Sequence, residues 1–257
     1  MSEAKNNYEF TKDLISYKVS RLIPALSEFI GKKEVKYLEV GVFEGRTLIW
    51  MFENILKEPS CRATVIDCFT DKTQSAFYKN IKIAGLSDRV NILEDISRRA
   101  LHTLPLESFD FIYIDGAHSS LDVLGDAVQA WLLLKEGGVM IFDDYGLEDD
   151  RPRKFKPKLA LDVFLEIYSG ELEIISKDYD VIVRKTKPFP RFSTPLGENT
   201  FYCWGTNRVY LKSPVRQLPF TQAELIQLRE TLYSFEERLF ETRQLPDSVL
   251  EKFQLTK

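Results

Sequence analysis

Cysteine, histidine and methionine are scarce in this 257-residue chain, which holds three, two and three of them. Cys61, Cys68 and Cys203 are odd in number and follow no zinc-ligand spacing, so neither a disulfide framework nor a structural zinc site is expected. They read as reduced thiols of a cytoplasmic protein. No apolar run approaches the roughly 20 residues that a membrane-spanning helix needs. The opening MSEAKNN lacks the apolar core of a signal peptide. A positive excess is missing too: the net charge is -4, which argues against a general nucleic-acid binder. Internal repeats and low-complexity tracts are absent.

What is there is a globular composition, 44% hydrophobic and 29% charged, able to bury a core. Residues 8–30 read as helical, with Leu14, Tyr17, Leu22, Leu26, Phe29 and Ile30 on one stripe and Pro24 as a kink. Short β-type runs then fall at 35–40, 63–67, 90–93, 109–115 and 139–142. Amphipathic stretches at 46–57, 72–84, 97–104 and 119–134 lie between them. Strands alternating with helices predict a parallel sheet covered on both faces, an α/β Rossmann-like fold. A helix at 158–168 and two runs at 172–176 and 179–184 follow, the last two close enough to pair as an antiparallel hairpin and bring the sheet to about seven strands. Three segments result: N-terminal helices over 1–33, a central domain over 34–186, and a C-terminal arm and helix over 187–257. The arm, rich in proline, glycine and aromatics, reads as ordered but irregular. Its helix at 221–242 opens on Thr221 with Glu224 three residues on, a capping-box pattern. The seam Leu225, Leu228, Leu232, Phe235 and Leu239 either packs on its own domain or pairs two subunits as a homodimer.

Acid collects at one edge of this expected sheet. The first strand runs into Glu39-Val40-Gly41-Val42-Phe43-Glu44-Gly45, the second ends on Asp67, and the third on Glu94-Asp95. The fourth ends on Asp115 and the fifth on Asp143-Asp144. Open parallel sheets bind ligands beyond these carboxyl ends. Gly41 and Gly45 flank a tight strand-to-helix turn where a backbone without Cβ lets a ligand approach. Phe43 stands where a pyrophosphate-binding turn would want its middle glycine, so a nucleoside without phosphates suits the turn better. Asp67 either accepts both ribose hydroxyls or ends its strand in solvent. Asp95 faces an adenine amino group or, like Glu94, orders the next turn. Asp115, Asp143 and Asp144 would repel one another if they converged, and a divalent ion relieves that repulsion. Oxygen donors without cysteine suit Mg²⁺. His118 follows Asp115 by one turn. It either caps a helix or accepts a proton from a substrate hydroxyl, because imidazole ionises near neutral pH. His102, beside Leu101 and Leu104, is given no role. The basic run RPRKFKPK at 151–158 either reads an anionic substrate group or is a solvated loop balanced by Glu148, Asp149 and Asp150, the reading preferred here.

The segments YLEVGVFEGRT, VIDCF and FDFIYIDGAHSSLDVLGDAVQAWLLLKEGGVMIFDDYG, with the closing hairpin, resemble the class I S-adenosylmethionine-dependent methyltransferases. The group with IDG-x-H and DDY signatures, small-molecule and sugar O-methyltransferases, is the nearest in pattern, over about residues 34–186. The resemblance implies a seven-stranded sheet with its last strand antiparallel and S-adenosylmethionine as cofactor. Glu39, Gly41 and Gly45 would hold its methionine part, Asp67 its ribose, and Asp95 would lie near its adenine. Asp115, Asp143 and Asp144 match positions that hold Mg²⁺ in metal-dependent members. Catechol-type relatives carry a basic lysine where His118 stands here, a departure from the family pattern, and the base expected from position and imidazole chemistry is the histidine. The implied reaction is O-methylation of a small molecule or sugar, in line at the sulfonium methyl. The rival readings are another transferase on the same core, such as an aminopropyltransferase, and a binding protein without turnover.

Overall fold

The computed structural model describes residues 8–187 and the backbone of three short strands at 194–197, 200–203 and 208–211. It divides into two compact units, Met1–Phe189 and Pro190–Lys257. In the second, β8 (Thr194–Gly197), β9 (Thr200–Cys203) and β10 (Arg208–Leu211) form an antiparallel sheet in the order β10-β9-β8. Regular strands thus stand where the sequence reads as an irregular arm. The helix expected at 221–242, and with it the subunit seam, lies outside the described residues.

The first unit is built on a seven-stranded sheet ordered β3-β2-β1-β4-β5-β7-β6. β1 (Lys36–Val40), β2 (Arg62–Asp67), β3 (Val90–Glu94), β4 (Phe109–Ile114) and β5 (Leu134–Phe142) run parallel. β7 (Val181–Lys185) is antiparallel to β5 and to β6 (Leu172–Lys177). This is the Rossmann-like architecture expected, with the strand order reversing beside β1.

Strand alternation sorts the side chains onto two covered faces. Tyr37, Phe111, Tyr113 and Ile141 pack on one face, with Leu48, Met51, Phe52 and Phe77. These reach it from α2 (Arg46–Asn54) and α3 (Asp71–Ile83), while α1 (Val19–Leu26) brings Leu22 and Leu26 to the same face. Leu38, Val40, Ile112, Ile114 and Phe142 pack on the other. Ala100, Trp131 and Phe164 cover them from α4 (Ser97–Thr103), α5 (Ser120–Leu133) and α6 (Pro157–Ile167). Among the described residues no helix is long and apolar enough to cross a membrane.

Local chemistry sets the helix starts. Thr70 and Thr73 close a reciprocal capping box before α3, Ser119 accepts the Asp122 amide before α5, and Pro157 opens α6. The long N-terminal helix is corrected by the structure. Only Val19–Leu26 is α-helical, with Pro24 inside it, and residues 8–18 form turns held by side chains. The buried stripe is Ile15, Lys18, Leu22, Leu26 and Phe29, while Tyr17 is exposed. β5 starts five residues before its expected position, at Leu134 rather than Val139. Gly138 allows this, because a Cβ there would come within 2.8 Å of the Asp110 carbonyl oxygen on β4.

Candidate functional site at the carboxyl edge of the sheet

The expected glycine turn sits where β1 ends. Gly41 has φ +82°, and a Cβ there would lie 2.0 Å from the Asp115 carbonyl oxygen. Only glycine fits, so the turn after β1 lies flat against the end of β4. Gly45, with φ +81°, starts α2 in a left-handed conformation above the Phe77 ring. Asp67 ends β2 and stitches the turn. One carboxylate oxygen accepts the Val42 and Phe43 amides at 2.8 and 2.9 Å, and the other accepts the Phe69 amide at 2.8 Å. A carboxylate has about four lone-pair sites, so Asp67 keeps capacity for a ribose hydroxyl.

Glu39 is 1% exposed beneath this turn and accepts the Tyr37 hydroxyl at 2.8 Å. Burial pushes its carboxyl up to about 8, against the Tyr37 hydrogen bond and the Lys18 charge. A buried acid held neutral in this way ionises more readily once a cation is brought beside it. Asp95 stands further out, with its carboxylate on the Ile96 amide at 2.7 Å and on Arg99.

The second half of the edge lies where β4 and β5 end. A small cleft is lined there by Asp115, Gly116, Ala117, His118, Asp143, Asp144 and Pro157, among others. His118 is 43% exposed, and its Nδ1 lies 3.3 Å from Asp144 Oδ2. Asp144 turns out of the strand with φ +58°. Its other oxygen accepts the Tyr179 hydroxyl at 2.9 Å. The adjacent acids therefore part company: Asp144 faces the histidine, and Asp143 points inward with Tyr113 and Ile141.

Inward, Asp143 meets a residue the sequence reading missed. The Lys18 ammonium, 1% exposed, pairs with Asp143 Oδ2 and donates to the Tyr113 hydroxyl at 3.0 Å. The Tyr113 hydroxyl also donates to Asp143 at 3.0 Å. Burial alone would lower the lysine's pKa, but Asp143 and Asp115 outweigh it and hold the ammonium above its ordinary value. Asp115 is pushed well above the usual carboxylate range, first by burial and then by the charge of Asp143. A signal for Lys18 was present. It occupies an apolar-register position three residues after Ile15 and four before Leu22.

The expected magnesium site is not formed by this arrangement. Among the described residues no group of three or more His, Cys, Asp or Glu side chains is placed to hold a metal ion. Asp143 already has a buried ammonium as its counter-ion, and Asp144 is engaged by Tyr179 and His118. The donor set of Asp115, Asp143 and Asp144 therefore does not fit Mg²⁺. In the basic loop Arg151 pairs with Asp149 at 2.6 Å, and the Ser120 hydroxyl donates to the Lys156 carbonyl at 2.7 Å.

Comparisons with known proteins agree with this architecture. Residues 38–145 are similar to the Methyltransf_24 family model, described as a methyltransferase domain. A protein of Acanthamoeba polyphaga mimivirus, Uncharacterized protein R132, is 26% identical over 131 residues. That match takes in 48% of this chain and spans 58% of the viral protein's length. A Corynebacterium glutamicum structure superposes with TM-score 0.54 at 18% identity, covering 70% of this chain and 84% of its own. The O-methyltransferase TomG from Streptomyces achromogenes, solved in complex with S-adenosylmethionine, superposes with TM-score 0.51 at 19% identity. Here 66% of this chain and 79% of TomG are covered. These likenesses show the fold.

Proposed function

We propose that this chain is an S-adenosylmethionine-dependent methyltransferase that acts on a hydroxyl oxygen of a small molecule or sugar. The observation that carries this reading is the His118–Asp144 pair opening on the same edge as a glycine turn pressed against Asp115. The matched methyltransferase domain over residues 38–145 supports it.

The residues fit the cofactor by their chemistry. The Glu39 carboxyl would receive the cationic amino group of its methionine part. Gly41 and Gly45 keep the turn open to close approach, and Asp67 has capacity left for ribose hydroxyls. Asp95 flanks the adenine side. S-adenosylmethionine, when bound, supplies an electrophilic methyl carbon on sulfur.

The chain's own residues do the remaining work. Asp144 orients His118 through Nδ1, which leaves Nε2 free to take the proton of an acceptor hydroxyl. Tyr179 fixes Asp144 in turn. Holding acceptor oxygen and methyl group in line accounts for much of the rate gain in such a displacement.

The test has two stages. Calorimetry with S-adenosylhomocysteine measures cofactor binding, and labelled S-adenosylmethionine then reports transfer to a panel of phenols and sugars. The expected result is binding followed by transfer that depends on His118. Binding without transfer to any hydroxyl acceptor would favour the non-catalytic reading, and no binding would sink the proposal.

A further inference from the structure

Resting on that reading, we infer that the Lys18 ammonium is the resident counter-cation of the acceptor half, so that methyl transfer proceeds without a divalent ion. Three observations carry this. The ammonium sits among Asp143, Tyr113 and the Tyr17 ring, with its nitrogen 5.2 Å from that ring's centre. Its 1% exposure and two polar partners make it a built part of the interior rather than a surface side chain that has folded over.

The segment that delivers it is fastened on both sides. Before Lys18, the Thr11 amide and hydroxyl bond the two oxygens of Glu44 at 2.7 and 2.9 Å. The Glu9 amide and carbonyl bond the Asn80 side chain at 2.7 and 3.1 Å. After it, Arg21 grips buried Asp180 through two bonds of 2.8 and 3.1 Å. Residues 9–21 therefore form a strap that places one positive charge beneath the ends of β4 and β5.

Chemistry gives the consequence. Asp143 can neutralise the ammonium or ligate a metal, and a divalent ion brought beside the ammonium would be repelled by it. Lys18 is thus a positioning residue: it sets the charge under the cleft and leaves proton transfer to His118.

The experiment uses the full chain and Mn²⁺ as probe, followed by calorimetry and by the spin signal of the free ion. Wild type is expected to show no saturable Mn²⁺ site below the millimolar range, and its methyl transfer is expected to survive chelator. Lys18→Met is expected to gain Mn²⁺ binding at the freed carboxylates and to melt higher with the ion than without it. A purely structural ion pair would give no such gain, so a folded Lys18→Met without Mn²⁺ binding overturns the inference. Saturable binding to wild type that Asp143→Asn removes overturns it equally, and this arm decides the matter if Lys18→Met fails to fold. S-adenosylhomocysteine binding is scored separately. Its absence would fell the methyltransferase reading, while the Mn²⁺ titration would still decide whether Lys18 excludes a divalent ion.

Discussion

The two halves of the carboxyl edge are built by opposite means. The half at β1 and β2 is local: a short turn folds on its own glycines, and Asp67 bonds two of its amides 24 and 25 residues back. The half at β4 and β5 is assembled from afar. Lys18 and Asp143, which neutralise each other there, are 125 residues apart in sequence. The first half is shaped by backbone, with the buried Glu39 carboxyl held toward its neutral form. The second is shaped by paired charge. The difference teaches that a binding cradle can be encoded in one stretch of sequence, whereas a buried charge needs a partner that topology alone brings near.

That contrast can be broken from either side. The largest effect is expected from Gly41→Ala, whose methyl would meet the Asp115 carbonyl at 2.0 Å. S-adenosylhomocysteine affinity should fall by about 100-fold or more, as measured by calorimetry on protein shown folded by circular dichroism. His118→Ala should strike the other half alone. Turnover is expected to drop by about 10²- to 10⁴-fold while cofactor affinity stays level, and a parallel loss of both would erase the division.

Lys18→Met should destabilise the fold, because Asp143 is left buried without its partner. Removing one member of a buried pair costs roughly 3–5 kcal/mol, readable by urea unfolding, and adding Asp143→Asn should recover much of it. A gentler effect belongs to Glu39. Its carboxyl is held at about 8 in the folded protein against an ordinary 4.5. Its contribution to the stability of the free protein is therefore present at acid pH and lost as the pH climbs toward about 8. Pairing with a cationic amino group requires the ionised form, so cofactor affinity should rise about tenfold per pH unit over the rise toward that value. Glu39→Gln should flatten the profile. The smallest effect is expected from Asp95→Asn, since an exposed pair with Arg99 contributes little; melting temperature should not move measurably.

Much of this was legible in the sequence, for reasons particular residues make plain. Strands and helices alternate with strong periodicity, so the sheet, its closing hairpin and the acids at its edge could be read directly. Gly41 and Gly45 lie close enough together for their turn to be foreseen, but not the bonds that Asp67 makes to its amides from 24 and 25 residues away. His118 was legible as a base candidate, but not its partner, because Asp144 reaches it only through a left-handed backbone turn. The failure lay in the second half. Three nearby acids read as a metal site when only their own segments were considered. Residues 8–18 read as helix because their apolar residues fall near helical spacing, while their true conformation depends on Glu44 and Asn80, which bond it from α3 and the turn before α2. With that segment misread, Lys18 was invisible as a counter-ion. Strand parity held the missing clue: Tyr37, Glu39, Tyr113 and Asp143 share one covered face, and such a face needs a cation.

The most direct test of the central claim is a calorimetric titration of S-adenosylhomocysteine into the metal-free protein, repeated in buffers of different ionisation enthalpy. The account predicts one site, with unchanged affinity in chelator and with proton release near neutral pH as Glu39 ionises. Absence of binding, or binding that appears only when Mg²⁺ is restored, would contradict it.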